Sequence, residues 1–572
     1  MKRDEWLCLN GVWDYAIGDS ASSEPERYDG DIVVPFSPES LLSGVGRQLR
    51  PGQTLWYKRA VRFENVNGRR LLLHFGAVDQ CCTVYVNSEA AGTHEGGYWP
   101  FYFDITALLR DGDNTLVLSV KDDSDTGDQA YGKQKLRRGG IWYTAQSGIW
   151  QTVWAEYVPE DYIRCVRITP RPQDSAVDFD IDWTGQALPE GHIRVYEDGR
   201  LAAQAHITGT KASLELDSFR CWSPDAPFLY TVRIEAGADA VESYFGMRAF
   251  GTARGADGHL RLTLNGEPVL HNGLLDQGYW SDGLYTAPSD EAMVWELSRI
   301  KKMGFNMLRK HIKIEPMRWY YHCDRLGILV WQDFVSGGGP YKKAVVEYAP
   351  WLGLRFGDGE KKYALHGRQS KAGRDIFVRD ARRTVDLLYN AVSLAVWVPF
   401  NEGWGQFDAG AMCRLVRQLD PTRHVDHASG YHDQGAGDFQ SYHIYYKKFR
   451  PKRDRRPGRV LALTEFGGFS LPSDGHMATP DLFGYRIYQT QQELEEAVEA
   501  LFDRDVLPNI PKGLSAIVYT QVSDVEDEIN GLFTFDREKV KVNDSRILAT
   551  NEKLYDAFGK NSDHCGRSNV II

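Results

Sequence analysis

Leu394-Ala395-Val396-Trp397-Val398-Pro399-Phe400-Asn401-Glu402 and Val460-Leu461-Ala462-Leu463-Thr464-Glu465 are the stretches that decide the fold. Each is apolar almost without interruption, and each closes on a glutamate. A strand with one wet face alternates apolar and polar residues. A run without alternation is buried on both faces, as parallel strands covered by helices are. In a closed parallel barrel the C-terminal strand ends carry the chemistry. Two carboxylates brought to one rim can cleave a glycosidic bond, one as acid/base and the other as nucleophile.

Working outward, short apolar strands alternate with helical stretches from residue 253 onward, among them Ser289 to Met303 and Glu493 to Leu501. Ser289-Asp290 followed by Glu291 is a sound helix start. Eight candidate strands end near Asn272, His311, Asp333, Glu402, Ser429, Tyr445, Glu465 and Gln521. That alternation predicts a (β/α)8 TIM barrel over 253–572. The Gly- and Lys-rich stretch from Gly337 to Arg374 is expected to form loops over its mouth. Residues 1–158 hold short strand-like runs separated by Gly, Asp and Asn turns, which favours a β jelly roll. Val86-Asn87 with Gly92 predicts a hairpin there. About seven shorter strands over 159–252 suggest an immunoglobulin-like β-sandwich. The chain therefore reads as multidomain.

Composition narrows the function. The 572 residues are too many for one core. A net charge of -11 argues against nucleic acid as the main partner, and the basic stretch from Lys447 to Arg456 reads as a solvated loop. No apolar run reaches the ~20 residues a membrane helix needs. The N-terminus enters a strand pattern at once, so no secretory signal is expected. Eight scattered cysteines without CxxC or zinc-site spacing suggest reduced thiols in a cytoplasmic protein, with no metal. Aromatics reach 12%, which suits a protein that stacks sugar rings and also suits β-rich cores.

A retaining glycosidase needs a nucleophilic carboxylate and a second carboxyl group about 5–5.5 Å away. Burial keeps the acid protonated near neutrality, while donors keep the nucleophile ionised. Glu402 and Glu465 are the candidates. Gly403, Gly405, Gly467 and Gly468 follow them and leave room for a sugar close to the backbone.

With these residues in view, the chain resembles glycoside hydrolase family 2 over nearly its whole length. Leu9-Asn10-Gly11-Val12-Trp13, Trp56-Tyr57-Lys58-Arg59 and Ser147 to Trp154 look like its sugar-binding domain. Trp222 to Tyr230 and Phe245-Gly246-Met247-Arg248 resemble its immunoglobulin-like domain and the junction to the barrel. Gly304 to Arg309, Cys323 to Asp333, Asn401-Glu402 and Thr464-Glu465-Phe466-Gly467 match its barrel motifs. The resemblance implies that Glu402 is the acid/base and Glu465 the nucleophile. It implies that Asn401 bonds the sugar 2-hydroxyl, that Tyr445 donates to Glu465, and that Arg309 is a buried cation beneath the nucleophile. Trp331 and Asp333 would bind the sugar ring and its hydroxyls. His443, in the Tyr445 segment, Tyr519 as an aromatic platform, and Asn530 as a polar contact complete the expected substrate site.

The resemblance implies a retaining exo-β-glycosidase acting on an oligosaccharide or glycoside. The chemistry requires no cofactor, and no ligand cluster in the sequence supports the cation that the family can bind near the sugar. β-Galactosidase activity is the first expectation, and β-glucuronidase, β-galacturonidase or another exo-glycosidase of the family (mannoside, arabinoside) the alternative; a non-catalytic carbohydrate-binding protein is the remote one. The chain departs from β-galactosidases after strand three and at Gly468, where they carry histidines. It lacks the Asn-x-Lys motif of β-glucuronidases in its usual place. Lys310, His311, Lys313, Lys342 and Lys343 remain as candidates for a substrate carboxylate. A homo-oligomer is left open.

Overall fold

The computed structural model describes residues 1–562 except 20–22, 65, 455 and 457, and leaves aside the side chains of 351, 561 and 562. Cys565 lies outside the described residues, and the other seven cysteines are free thiols. No described helix is long and apolar enough to cross a membrane.

The first unit is two antiparallel sheets facing one another. Six strands pair in the order Gly30–Val34, Gly11–Asp19, Gln53–Arg62, Asp113–Lys121, Cys81–Val86 and Glu89–Glu95. Four more pair as Trp6–Cys8, Val153–Val158, Arg70–Phe75 and Phe101–Asp104. Period-two alternation drives this packing: Cys82, Val84 and Val86 point inward and meet Leu71, Leu73, Leu116 and Leu118. Asn87 and Ser88, both at positive φ, turn the chain between Cys81–Val86 and Glu89–Glu95. The second unit packs a three-stranded sheet, Ile163–Arg171, Ala176–Trp183 and Lys211–Glu215, on a four-stranded one, Arg200–Ile207, Gly191–Glu197, Tyr230–Ala236 and Asp239–Phe245. Ile193, Val195, Val232 and Ile234 fill the space between them with Phe179 and Ile181.

The third unit is an eight-stranded parallel barrel. Its strands are β1 (His271–Asp276), β2 (Met307–Lys310), β3 (Leu329–Asp333), β4 (Leu394–Val398), β5 (His424–Val425), β6 (Phe439–Ile444), β7 (Val460–Gly467) and β8 (Leu514–Thr520). They pair in the order β5-β4-β3-β2-β1-β8-β7-β6, all parallel. The seam between β5 and β6 is bridged by Asp438: its N–H donates to the Val425 carbonyl at 2.8 Å, and its carboxylate accepts from the Val425 N–H at 2.7 Å. Parity sorts the side chains. Met307, Leu329, Trp331, Val396, Val398, Ala462, Ala516 and Val518 point inward, where Trp222, Leu262 and Leu264 plug the floor. Leu308, Val330, Trp397, Leu461, Leu463 and Ile517 point outward to the helices.

Helix α1 (Asp290–Lys302) starts where the sequence predicts, with Ser289 accepting from the Ala292 N–H. After α2 (Met317–Leu326), the stretch over the mouth is less irregular than expected. It contains short helical turns at Ala344–Tyr348 and Glu360–Leu365, and α3 (Lys371–Leu388) begins inside it. Further along, α4 (Ala409–Leu419) follows β4, and α5 (Gln491–Leu501) carries a capping box at Thr490.

Three strand ends differ from expectation. β5 closes at Val425, short of Ser429. β1 runs past Asn272 to Asp276. β4 stops at Val398, because Pro399 has no N–H for the ladder. Glu402 therefore sits on the loop beyond the strand.

Candidate active site

Pro399 ends β4, and the chain turns so that the Glu402 N–H donates to the Ser429 carbonyl at 3.1 Å. Glu402 takes a φ of 50°, a left-handed conformation that costs a non-glycine residue roughly 1–3 kcal/mol and concentrates at functional positions. Glu465 is delivered differently. The pairing register slips between Leu463 and Phe466 against β8, and between Tyr442 and His443 against β6. This bulge lets Thr464 bond Ser429 while Glu465 also reaches the barrel mouth, with Phe466 restored to the outer face.

The two carboxylates meet. One oxygen of Glu402, one of Glu465 and a ring nitrogen of His443 all lie within 4.8 Å of one another. His443 Nδ1 is 2.8 Å from Glu402 Oε1 and 3.5 Å from Glu465 Oε2. Its Nε2 lies 3.1 Å from Ser429 Oγ and 3.4 Å from Arg309 Nη1, while two carboxylates face Nδ1, an arrangement that suits a proton on Nδ1. Burial pushes the His443 imidazolium down to about 4, leaving the ring neutral. The same three atoms could ligate a metal ion, but such an ion would occupy both carboxylates. Another cluster of this kind, His476 with Asp536 and Glu538, is partly exposed.

The two glutamates have different surroundings. Burial raises Glu402 to about 7, opposed by the nearby charges of Lys133 and Arg309 and a hydrogen bond from Tyr431. Burial also raises Glu465, and the Glu402 charge adds to the rise. Against that, Glu465 accepts from Tyr445 Oη at 2.5 Å and from Arg309 Nη1 at 3.2 Å. Tyr445 is held by a parallel stack on Tyr485 at 4.1 Å.

Arg309 organises the floor. It is wholly buried, gives two parallel hydrogen bonds to Asp333 at 2.9 and 3.0 Å, and donates to Asn401 Oδ1 at 2.8 Å. Asn401 Nδ2 is a buried donor without a partner among the described residues. Since Asn401 directly precedes Glu402 and its Oδ1 is held by Arg309, this free donor is available to a ligand at the mouth.

Four expected contacts fall elsewhere. Trp331 has the right parity but lies one layer too low: its indole N–H donates to His271 in the barrel floor. Tyr519 has the wrong parity and packs outward against Phe466 and Phe502. Asp333 is spent on Arg309 and on His311, whose Nδ1 is 2.6 Å away. Asn530 is fully buried and engaged by Gln521 at 2.7 Å and Glu528 at 3.0 Å, so it braces the wall behind the site. Of the cationic candidates, Lys310 points outward and pairs with Asp276 and Glu315, and Lys313 is tied to Glu315 and two carbonyls. Lys342 and Lys343 are exposed.

The opposite wall comes from a segment without a sequence motif. Residues 130–146 of the first unit enter the barrel mouth. The Tyr131 and Gly132 N–H groups both donate to the Ser336 carbonyl at 3.0 Å, and Gly132 (φ 65°) passes where a Cβ would press on Ile312 and Tyr285. The loop delivers Lys133, Trp142 and Tyr143. Trp142 packs on Trp404 with centroids 5.1 Å apart, and Tyr143 donates to Glu528.

A closed parallel barrel with two carboxylates at its C-terminal rim is the architecture of the barrel-type glycoside hydrolases. Family models place the chain within that class. Residues 48–154 match the sugar binding domain of glycosyl hydrolases family 2, residues 162–248 match glycosyl hydrolases family 2, and residues 259–539 match that family's TIM barrel domain. The chain belongs to glycosyl hydrolases family 2. It is 26% identical over 294 residues to a β-galactosidase of Thermoanaerobacter pseudethanolicus, covering 49% of this chain and 39% of the relative. It is 23% identical over 522 residues to a β-glucuronidase of Streptococcus agalactiae serotype V, covering 81% and 82%. The chain thus spans well under half the length of the first of these relatives. Among solved structures, a β-glucuronidase of an uncultured Clostridium sp. superposes with a TM-score of 0.76 at 15% identity, covering 97% of this chain and 99% of that one.

Proposed function

We propose that the protein is a retaining exo-β-glycosidase that works by double displacement. The observation that carries this reading is the approach of Glu402 and Glu465 to within 4.8 Å, the spacing of a nucleophile and its acid rather than of a pair with water between them. Glu465 attacks the anomeric carbon. Arg309 and Tyr445 supply donors that stabilise its ionised form. Glu402 protonates the departing oxygen, then takes a proton from the water that releases the sugar. The neutral His443 N–H lies between the two carboxylates and orients both. Asn401 Nδ2 offers a donor to the sugar 2-hydroxyl, a bond that strengthens at the transition state. Both carboxylates are screened from solvent, the Glu465 side chain 5% exposed and that of Glu402 14%.

A panel of nitrophenyl β-glycosides (galactoside, glucoside, glucuronide, galacturonide, mannoside) tests this. At least one is expected to be hydrolysed with a kcat/KM above about 10⁴ M⁻¹s⁻¹, the lower end of the ordinary enzymatic range. Absence of turnover across the panel and on reducing-end-free oligosaccharides would contradict the proposal.

A further inference from the structure

Among the described residues four lysines are buried: Lys133, Lys310, Lys313 and Lys541. Three of them are paired: Lys310 with Asp276 and Glu315, Lys313 with Glu315, and Lys541 with Asp524 at 2.7 Å. Lys133 differs. It is 4% exposed, yet no carboxylate oxygen among the described residues lies within 4.0 Å of its ammonium. An ammonium has three N–H donors, and the one hydrogen bond found for this one runs to Tyr143 Oη at 3.2 Å. The group hangs 4.8 Å from the Tyr143 ring centre and 5.8 Å from that of Trp404. A buried charge is retained at a cost unless something opposite in sign meets it.

The surroundings say where that charge acts. Glu402, Glu465 and Glu528 are the acidic groups whose fields reach Lys133. None of the three is free to close on it. Glu465 is held by Arg309 and Tyr445, Glu402 by His443, and Glu528 accepts from Tyr143 and Asn530. The ammonium lies 5.8 Å from the ring of Trp404, two residues beyond Glu402, and is bonded to Tyr143, which itself donates to Glu528, so it stands at the mouth beside the loop that carries Glu402.

We propose that Lys133, delivered by the first unit, reads a negatively charged substituent on the terminal sugar, so that the preferred substrates are acidic β-glycosides. This rests on the glycosidase reading above. The shared chemistry is an anionic oxygen group, either the carboxylate of a uronide or a sulfate ester. Tyr143 sets the ammonium's direction through its Oη, and Trp404 lines the approach.

The test compares kcat/KM for nitrophenyl β-glucuronide, β-galacturonide and 6-sulfo-β-galactoside with that for the neutral β-glucoside and β-galactoside. Wild type, Lys133→Met and Lys133→Arg are used. The wild type is expected to prefer a charged substrate. Lys133→Met is expected to lower the charged-to-neutral ratio about 100-fold, the loss typical of a buried charge-assisted hydrogen bond, while Lys133→Arg keeps most of it. Whichever charged substrate responds identifies carboxylate or sulfate. A wild type that favours neutral glycosides, or a ratio unmoved in Lys133→Met, overturns the proposal and leaves the glycosidase reading standing. Thermal shift of the wild type with free glucuronic, galacturonic and 6-sulfogalactose sugars, against glucose and galactose, gives a readout independent of turnover. Equal shifts for acidic and neutral sugars also overturn it.

Discussion

Glu465→Ala is expected to lose about 10⁵-fold in kcat on nitrophenyl glycosides, on the scale seen when a covalent nucleophile is removed. The variant should still fold. Removing Glu465 takes away one carboxylate facing Arg309, but Asp333 continues to hold that guanidinium with two hydrogen bonds. Truncation to alanine also opens a space on the nucleophile's face of the sugar. A small anion can enter it, so azide should restore part of the rate and yield a glycosyl azide of inverted configuration. Azide has no such route if Glu465 is merely structural. Activity retained in Glu465→Ala, or an azide product of unchanged configuration, would remove Glu465 from the nucleophile's role.

Glu402→Gln should discriminate between leaving groups. A good one such as dinitrophenolate departs without a proton, whereas an alkoxide does not. Loss of kcat for alkyl glycosides is expected at about 10³-fold, within the usual range for general acid catalysis, and less than about tenfold for the glycosylation of dinitrophenyl glycosides. The pH profile carries the same assignment. Burial raises Glu402 to about 7, and the acid must be protonated to act, so wild-type kcat/KM should fall as pH rises through about 7. On the acid side the rate falls as Glu465 takes up a proton, and because its affinity for protons is also raised, that limb lies above the ordinary carboxylate range. Glu402→Gln should lose the alkaline limb and keep the acid one. Equal losses for both leaving groups, with an unchanged alkaline limb, would assign the proton donor elsewhere.

The barrel was legible because burial on both faces leaves a mark in sequence. Leu394 to Val398 and Val460 to Leu463 are continuously apolar, and both are fully buried strands. The carboxylate pair was legible because strand ends are where a barrel exposes polar groups. What failed was depth and parity. Trp331 and Asp333 share an inward face, yet one layer separates the floor from the mouth, and a run of apolar letters does not show which layer the loop lies above. Tyr519 lies between the inward-facing Val518 and the end of β8, and counting in twos from Ala516 would have turned it outward. The bulge that aims Glu465 leaves no trace in composition, since Thr464 and Phe466 suit either register. The loop from Ala130 to Tyr143 was the largest omission. Its glycines and basic residues form no motif, and nothing local says that it packs into a barrel more than a hundred residues further on. Lys133 acquires its meaning only from that long-range contact with Ser336 and Gly337.

Retention is the central chemical claim, because it follows from the separation of two side chains. Proton NMR of the anomeric region during the first minutes of hydrolysis, before mutarotation, reads it directly. Glu402 and Glu465 as placed here predict that the β-anomer of the free sugar forms first and decays toward equilibrium. First appearance of the α-anomer would mean a single displacement by water, and a site whose two carboxylate oxygens lie within 4.8 Å of one another would not account for it.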